Sequence, residues 1–484
     1  MKIIQEPSGF ALKLFSTFIE NTKKEGTFQR IHRYVLIEEM KDGTLLYNSL
    51  TREIVLFEEG DDMFSEHFRD NLWLVPDEFD DTVLADVLRG RLFNGRPKGV
   101  TPRGYTIVTT TDCNARCFYC YERNLLRKDM TEETARDVTE YIAKNYLSDP
   151  SEKKPEVKLA WFGGEPLFNK KVIDVICNGL AEKGVPYRSS MISNGYLFDE
   201  QTTNNAVLNW RLKHVQITLD GTEEYYNKAK NYIDKSVSPF KVVTDNIDRL
   251  IENDVRVSIR INVGYYNLDD IKELVDFIRE RYKGKRGISA YLHALFDSGG
   301  VTDIDTEEKR KAVYEEMERL EEILLKSGFG GGSSKVEQMK GTHCMADNGN
   351  HVVIQVDGSL CLCEHFVDSN RIGTIYGDTF DQEVIDRFKE IENPFEECYW
   401  CPIFPECSNL KVCEDNEKEC GGSRQAYKVN RTRRAIRVFY KNKIKAEKYG
   451  KVRNRAGNEK NGNESVGTQS EGTPRLLRDG GDSV

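Results

Sequence analysis

Apolar and polar positions along this 484-residue chain change their spacing twice, which divides it into three regions and a tail. From Gly104 to about Leu325, short apolar runs alternate with stretches of helical period. The predicted strands are Tyr105–Thr111, Val157–Phe162, Tyr187–Ser193, His214–Leu219, Val255–Val263 and Gly287–His293. Helices are predicted at Glu132–Leu147, Lys170–Gly184, Phe240–Asn253, Leu268–Tyr282 and Glu307–Lys326. Short strands separated by helices of this length imply a parallel sheet with right-handed crossovers. Ahead of this region the pattern is that of a hairpin: Tyr34–Glu39, a turn at Lys41-Asp42-Gly43, then Thr44–Tyr47, with a third apolar run at Arg52–Phe57. Asp80 to Leu92 places Val83, Leu84, Val87, Leu88 and Leu92 on one helical face. Residues 1–100 therefore read as a small α+β module and 101–328 as the parallel α/β region. Lys326–Ser334 is rich in Gly and Ser and predicts a flexible boundary before a third region, 335–427. Residues 428–484 form a basic tail; 428–451 suits a helix, and 454–484 is expected to be disordered.

Composition narrows the class. With 38% hydrophobic and 31% charged residues the chain suits a soluble globular protein of two or three domains. No apolar run approaches the length of a membrane span, and Met1–Phe10 lacks a signal-peptide pattern, so a cytoplasmic protein is expected. A net charge of −10 gives no case for nucleic acid. Twelve cysteines in a reducing compartment argue for metal or redox chemistry rather than disulfides. Three lie at 113–120, eight at 344–420, and Cys177 sits alone in an amphipathic stretch, as a buried small hydrophobe would.

Asp112-Cys113-Asn114-Ala115-Arg116-Cys117-Phe118-Tyr119-Cys120 spaces three thiols as C-x₃-C-x₂-C with no fourth nearby. Structural zinc usually takes four ligands, whereas three thiolates suit an iron–sulfur cluster with one iron open to a reactant. The stretch resembles the signature of the radical S-adenosylmethionine (SAM) superfamily, with Tyr119 in its aromatic slot. That resemblance implies a partial (β/α)₆ barrel and a 4Fe-4S cluster held by Cys113, Cys117 and Cys120. It further implies SAM on the open iron, cleaved reductively to a 5′-deoxyadenosyl radical. Further motifs follow the successive predicted strands, where parallel barrels place their chemistry. Trp161-Phe162-Gly163-Gly164-Glu165-Pro166 resembles the family's Gly-Gly-Glu-Pro motif, which implies that Gly163, Gly164, Glu165 and Pro166 hold the SAM amino group. Ile192-Ser193-Asn194-Gly195 resembles its Ser/Thr-Asn-Gly stretch, placing Ser193 and Asn194 near the ribose and carboxylate. Alternation in Ile259–Val263 puts Arg260 and Asn262 on one face, where Arg260 could fork the SAM carboxylate. Asp220, in Gln216–Gly221, is expected to face the substrate.

The C-terminal cysteines Cys344, Cys363, Cys398, Cys401, Cys407, Cys413 and Cys420 resemble the SPASM extension of peptide-modifying radical SAM enzymes. The family spacing has three residues between its fifth and sixth cysteines; here there are five. The resemblance implies two auxiliary 4Fe-4S clusters. One would use Cys344, Cys363 and Cys413, with Cys361 or another group as fourth ligand; the other would use Cys398, Cys401, Cys407 and Cys420. Without the resemblance, C-x₂-C with further cysteines also suits zinc. Glu364 follows Cys363, at the place where related sulfatase maturases carry an Asp base, and is the candidate catalytic residue. His365 beside it could equally be a hydrogen-bond donor behind the cluster's ligands. The N-terminal module resembles those that bind a leader peptide as an added strand. The implied function is thioether (C–S) crosslinking of a ribosomally made precursor peptide with a leader and a Cys-containing core. The implied electron donor is a low-potential protein such as a flavodoxin or ferredoxin. The alternative is an anaerobic sulfatase-maturating, formylglycine-forming enzyme.

Overall fold

A computed structural model describes residues 1–295, 304–330, 344–365, 368–388, 396–407, 420 and 422–461. The N-terminal module comprises β1 (Lys2–Gln5), α1 (Gly9–Leu14), α2 (Ser16–Glu25), β2 (Arg30–Ile31), β3 (Val35–Met40), β4 (Gly43–Asn48), β5 (Ile54–Phe57), α3 (Glu66–Asp70), β6 (Leu74–Val75) and α4 (Thr82–Asn94). Its main sheet runs β1-β5-β4-β3, all antiparallel. The expected hairpin is present, but its turn is Lys41-Asp42, and Gly43 already pairs with Met40. Gly43 has φ +136°, and a Cβ there would lie 2.5 Å from the Phe57 carbonyl oxygen, so only glycine fits beside β5. The single-face reading of α4 is corrected. Leu84, Ala85, Leu88 and Phe93 are buried, whereas Val83 and Val87 are nearly half exposed.

The central region follows the predicted alternation: β7 (Gly104–Thr110), α5 (Glu132–Ser148), β8 (Val157–Gly163), α6 (Lys170–Glu182), β9 (Tyr187–Ser193), α7 (Glu200–Leu208), β10 (Leu212–Thr218), α8 (Glu223–Lys230), α9 (Pro239–Glu252), β11 (Arg256–Val263), α10 (Leu268–Arg281), β12 (Ile288–Ala294) and α11 (Glu307–Lys326). Strands β7 to β12 pair in chain order, each parallel to the next, which is the order of a barrel wall rather than of a doubly wound sheet. Helix starts carry their signals: Thr131 accepts from the Thr134 amide at 3.0 Å, Asp199 accepts from the Thr202 amide at 2.7 Å, and Pro239 opens α9. Buried Val, Ile, Leu and aromatic side chains of strands and helices make one core, with Trp161 and Trp210 fully enclosed.

The C-terminal region contributes β13 (His351–Ile354), β14 (Ser359–Cys361), β15 (Arg371–Thr374), α12 (Gln382–Arg387) and α13 (Gly422–Asn461). It is not a separate body. β13 adds in parallel to β7, and β14 and β15 follow antiparallel, extending the sheet to nine strands. Cys401, Ile403, Phe404, Ile436 and Tyr440 complete the core of the N-terminal module. Two expectations about flexibility are corrected. Phe329 is buried and its carbonyl accepts from Ala290 at 2.9 Å, so the start of the Gly/Ser stretch is docked beside β12; residues 331–334 lie outside the described residues. The basic tail is helical to Asn461, past the residue where disorder was expected to begin, and 462–484 lie outside the described residues. Val429, Ile436, Tyr440 and Ile444 recur at helical spacing on the face that meets the N-terminal core, an apolar stripe masked in the sequence by its Lys and Arg content.

Candidate active site

The cysteine loop leaves the C-terminal end of β7 and is held by backbone on two sides. The Gly164 amide donates to Thr110 O at 3.0 Å and the Glu165 amide to Asp112 O at 3.0 Å. A Cβ at Gly163 would lie 2.1 Å from Thr110 O, and one at Gly164 2.3 Å from Asp112 O. The paired glycines are therefore required by the approach of the loop backbone itself. From the other side, the Arg116 amide donates to Lys230 O at 2.9 Å and the Ile233 amide to Asn114 O at 2.9 Å. Within the loop, Asp112 Oδ1 accepts from the Cys113 amide at 2.8 Å and faces the guanidiniums of Arg116 and Arg127 at 3.3 and 3.4 Å.

Cys113, Cys117 and Cys120 line one cavity of ≈ 380 Å³ at the strand ends, together with Gly163, Gly164, Ser193, Asn194 and Arg260. Burial pushes the Cys113 thiol up to about 12 and Cys120 up to about 11, and each thiolate opposes ionisation of its neighbours. Such thiols stay protonated until a cationic centre displaces the protons, which is how thiolate-bound metals load. Among the described residues no three His, Cys, Asp or Glu side chains converge on one point, as a single ion requires. A cluster in which each iron takes its own thiolate does not need that convergence, so the three thiols fit it.

Glu165 does not reach the cavity. Its carboxylate is fully buried and accepts from the Leu167 amide at 3.2 Å, the Ser193 hydroxyl at 2.9 Å and the Asn194 amide at 2.8 Å. Burial raises its pKa to about 7, partly opposed by those bonds. Glu165 and Ser193 thus bracket β8 to β9, and Pro166 is buried with its carbonyl accepting from Thr109 at 3.0 Å. Asn194 donates to Asn114 at 2.7 Å, beside the Cys113 sulfur. Arg260 lines the cavity; it donates to Asn262 at 2.9 Å and to His293 Nδ1 at 3.0 Å, and no described carboxylate lies within ion-pair distance. The expectation that Asp220 faces a substrate is corrected: it is buried, bonded to the Tyr119 hydroxyl and to Asn262 (2.9 Å), and paired with Lys230 at 3.1 Å.

Lys230 escaped the sequence reading. Burial acts to lower its pKa, but Asp220 and Cys117 outweigh burial and hold it charged beside the cysteine loop. In the sequence it is one more lysine in the last turn of a polar helix, where a solvated cation is ordinary.

The C-terminal region closes the same cavity. Glu364 and His365 line it, and the His365 ring stacks on Tyr121 with centroids 4.2 Å apart. Burial pushes Glu122, also in the lining, up to about 7, with His365 opposing and Glu364 adding to the rise. Cys363 is half-buried just behind Glu364, and Cys344 is exposed. Cys361 is buried between Val108 and Val353, an apolar site where burial raises its thiol to about 12. Cys398, Cys401 and Cys407 follow one another through tight turns, each amide after the first donating back at 3.0 Å. Cys401 feels the charges of both Cys407 and Cys420. Cys413 lies outside the described residues.

Residues 107–278 match the Radical SAM superfamily. Over that segment the chain is similar to the superfamily. The radical SAM match spans β7 to α10, so it contains the cysteine loop, the paired glycines, Asn194 and Arg260. An uncharacterized protein of Methanocaldococcus jannaschii is 30% identical over 125 residues, covering 24% of this chain and 38% of that protein. GTP 3′,8-cyclase of Clostridium perfringens is 24% identical over 276 residues, covering 54% of this chain and 80% of the cyclase. Among solved structures, native anSMEcpe with bound AdoMet superposes with a TM-score of 0.54 at 17% identity, covering 71% of this chain and 99% of that one, which shows a shared fold. No described helix is long and apolar enough to cross a membrane.

Proposed function

We propose that this chain is a radical SAM enzyme that modifies a ribosomally made peptide by thioether crosslinking, with auxiliary iron–sulfur clusters in its C-terminal region. The observation that carries the reading is the entry of Glu364 and His365, directly after Cys363, into the cavity lined by Cys113, Cys117 and Cys120. A carboxylate and an imidazole from the C-terminal cysteine region then face the place where SAM would react. When bound, the cluster and SAM supply a 5′-deoxyadenosyl radical that removes a hydrogen atom from a peptide carbon. Cys113, Cys117 and Cys120 would hold that cluster. The Gly163–Gly164 backbone and Asn194 would receive SAM, and Arg260 would fork its carboxylate through the guanidinium left without an acid partner among the described residues. Tyr119, Asp220 and Lys230 fix the loop, as their shared hydrogen bonds and ion pair keep it from shifting with load. Glu364 would take the proton of the peptide thiol as the C–S bond forms. An auxiliary cluster held by the C-terminal cysteines would supply an acceptor for the remaining electron, and the peptide would lose one C–H and one S–H hydrogen per bond. The stacking of His365 on Tyr121 would cover part of the cavity wall.

The N-terminal module is assigned leader binding, supported by the edge position of β3, which among the described residues pairs only with β4. Its reducing partner would be a flavodoxin or ferredoxin. A second reading is a sulfatase-maturating enzyme; Glu364 where such an enzyme carries an Asp base, and the N-terminal module, weigh against it. Mass spectrometry of a co-expressed Cys-containing precursor, against a sulfatase peptide, tests the two. The proposal expects the precursor to lose those paired hydrogens with its thiol blocked to alkylation; formylglycine on the sulfatase peptide alone contradicts it.

A further inference from the structure

The N-terminal module is fastened to the C-terminal cysteine loop rather than to the barrel helices. Ser49 donates to Pro402 O at 2.6 Å, Arg52 pairs with Glu406 at 2.7 Å, Tyr47 bonds the same carboxylate, and Arg33 lies over the Trp400 ring at 4.5 Å. One contact has a different character. Arg89, on α4, donates to the carbonyls of Phe404 at 3.0 Å and Cys407 at 2.8 Å. Its guanidinium lies over the Phe404 and Phe93 rings, 4.6 and 5.1 Å from their centroids. Among the described residues no carboxylate lies within ion-pair distance of it, and Asp86, one turn earlier, is taken up by the Tyr399 hydroxyl at 3.2 Å. Burial works against the charge of Arg89, and Cys407, Cys398 and Asp86 oppose that effect. On the opposite flank, Lys428 of α13 donates to the Cys420 sulfur at 3.6 Å.

The other cysteine group has different surroundings. Arg96 near Cys344 is neutralised by a buried pair with Asp347 at 3.1 Å, Asp347 also accepts from the Cys344 amide at 3.0 Å, and Cys363 is followed by Glu364. Among the described residues the first group has Arg89 and Lys428 beside it, with Glu406 next to Cys407 paired to Arg52, whereas the second has Glu364 and the Arg96–Asp347 pair.

We infer that Arg89 and Lys428 are positioning residues that balance the negative charge of the centre held by Cys398, Cys401, Cys407 and Cys420 and raise its reduction potential. This rests on the auxiliary-cluster reading above and adds which side chains set the centre's redox poise. A fixed positive charge in a partly buried site favours the more negative, reduced state, and cluster potentials follow net charge and hydrogen bonding to sulfur. The two auxiliary centres would therefore differ in potential, with the Arg89-flanked one the better electron acceptor.

The test is a potentiometric titration followed by electron paramagnetic resonance on the full chain, reconstituted anaerobically, with iron and sulfide counted on every sample. R89Q and K428Q should each shift one auxiliary signal to lower potential, the double variant further, while R89K and K428R stay near wild type. The signal of the Cys113, Cys117 and Cys120 centre should not move. Full iron content with an unmoved potential in the double variant overturns the inference and leaves the auxiliary reading standing. If R89Q sheds iron, K428Q decides: a lowered potential supports the inference and an unmoved one overturns it. Iron for a single cluster in the wild-type chain, or zinc on these thiols, overturns both.

Discussion

The two cysteine regions of this protein are built in opposite ways. The 113–120 loop is fixed by neighbours at the ends of adjacent parallel strands, through backbone bonds to Thr110, Asp112 and the segment after α8. The 398–407 loop is fixed by side chains from the far end of the chain; Arg89 reaches Phe404 across 315 residues of sequence. A site built on strand ends inherits its geometry from the sheet. A site built from long-range contacts depends on each partner, so its failures should be separable from those of the first.

Four perturbations would break or sharpen that contrast. The largest effect is expected for C113A, C117A or C120A, each of which should reduce SAM cleavage to background while iron at the C-terminal cysteines is retained; chromatography of 5′-deoxyadenosine with an iron count checks both. Next comes G164A, because a Cβ 2.3 Å from Asp112 O meets backbone that cannot yield. It should cost roughly 2–4 kcal/mol in denaturant unfolding and lower the iron held by the first site. E406A should cost about 1–3 kcal/mol by leaving Arg52 and Tyr47 without their shared acceptor, and should loosen only the 398–420 thiols. Equal iron loss at both sites in either variant would contradict the separation. The smallest effect is a pH dependence from Glu165, whose folded pKa of about 7 lies above an ordinary carboxyl value. Its contribution to apo-protein stability is full below the unfolded pKa and lost as pH rises through about 7, and E165Q should flatten that slope in thermal melts taken from pH 5 to 8.

The same contrast explains what was legible in the sequence. The six parallel strands and most of their helices were readable because each buries a continuous apolar run or stripe, and α11 falls at Glu307–Lys326 as predicted. Cavity residues carried on strand ends were readable for the same reason, as with Asn194 and Arg260. Roles that depend on which atom points where were not. The glycines at 163 and 164 answer first to Thr110 and Asp112, Glu165 turns inward to Ser193, and Asp220 is covered by Tyr119 and Lys230. Nothing local in Glu223–Lys230 announces a buried cation. Likewise the apolar stripe of α13 is too sparse among basic residues to show before the N-terminal core that it covers is known. The Cys398–Cys407 loop carries no strand or helix pattern, so its dependence on Arg89, Arg33 and Tyr47 is visible only in three dimensions.

The central claim is that one cavity joins the 113–120 cysteine loop to the C-terminal cysteine region through Glu364. It is tested most directly by measuring 5′-deoxyadenosine and modified peptide together, in one anaerobic reaction, for wild type, C120A and E364Q. The account predicts that C120A loses both products, whereas E364Q still cleaves SAM and fails to release crosslinked peptide. Crosslinked peptide from E364Q at the wild-type rate would contradict it.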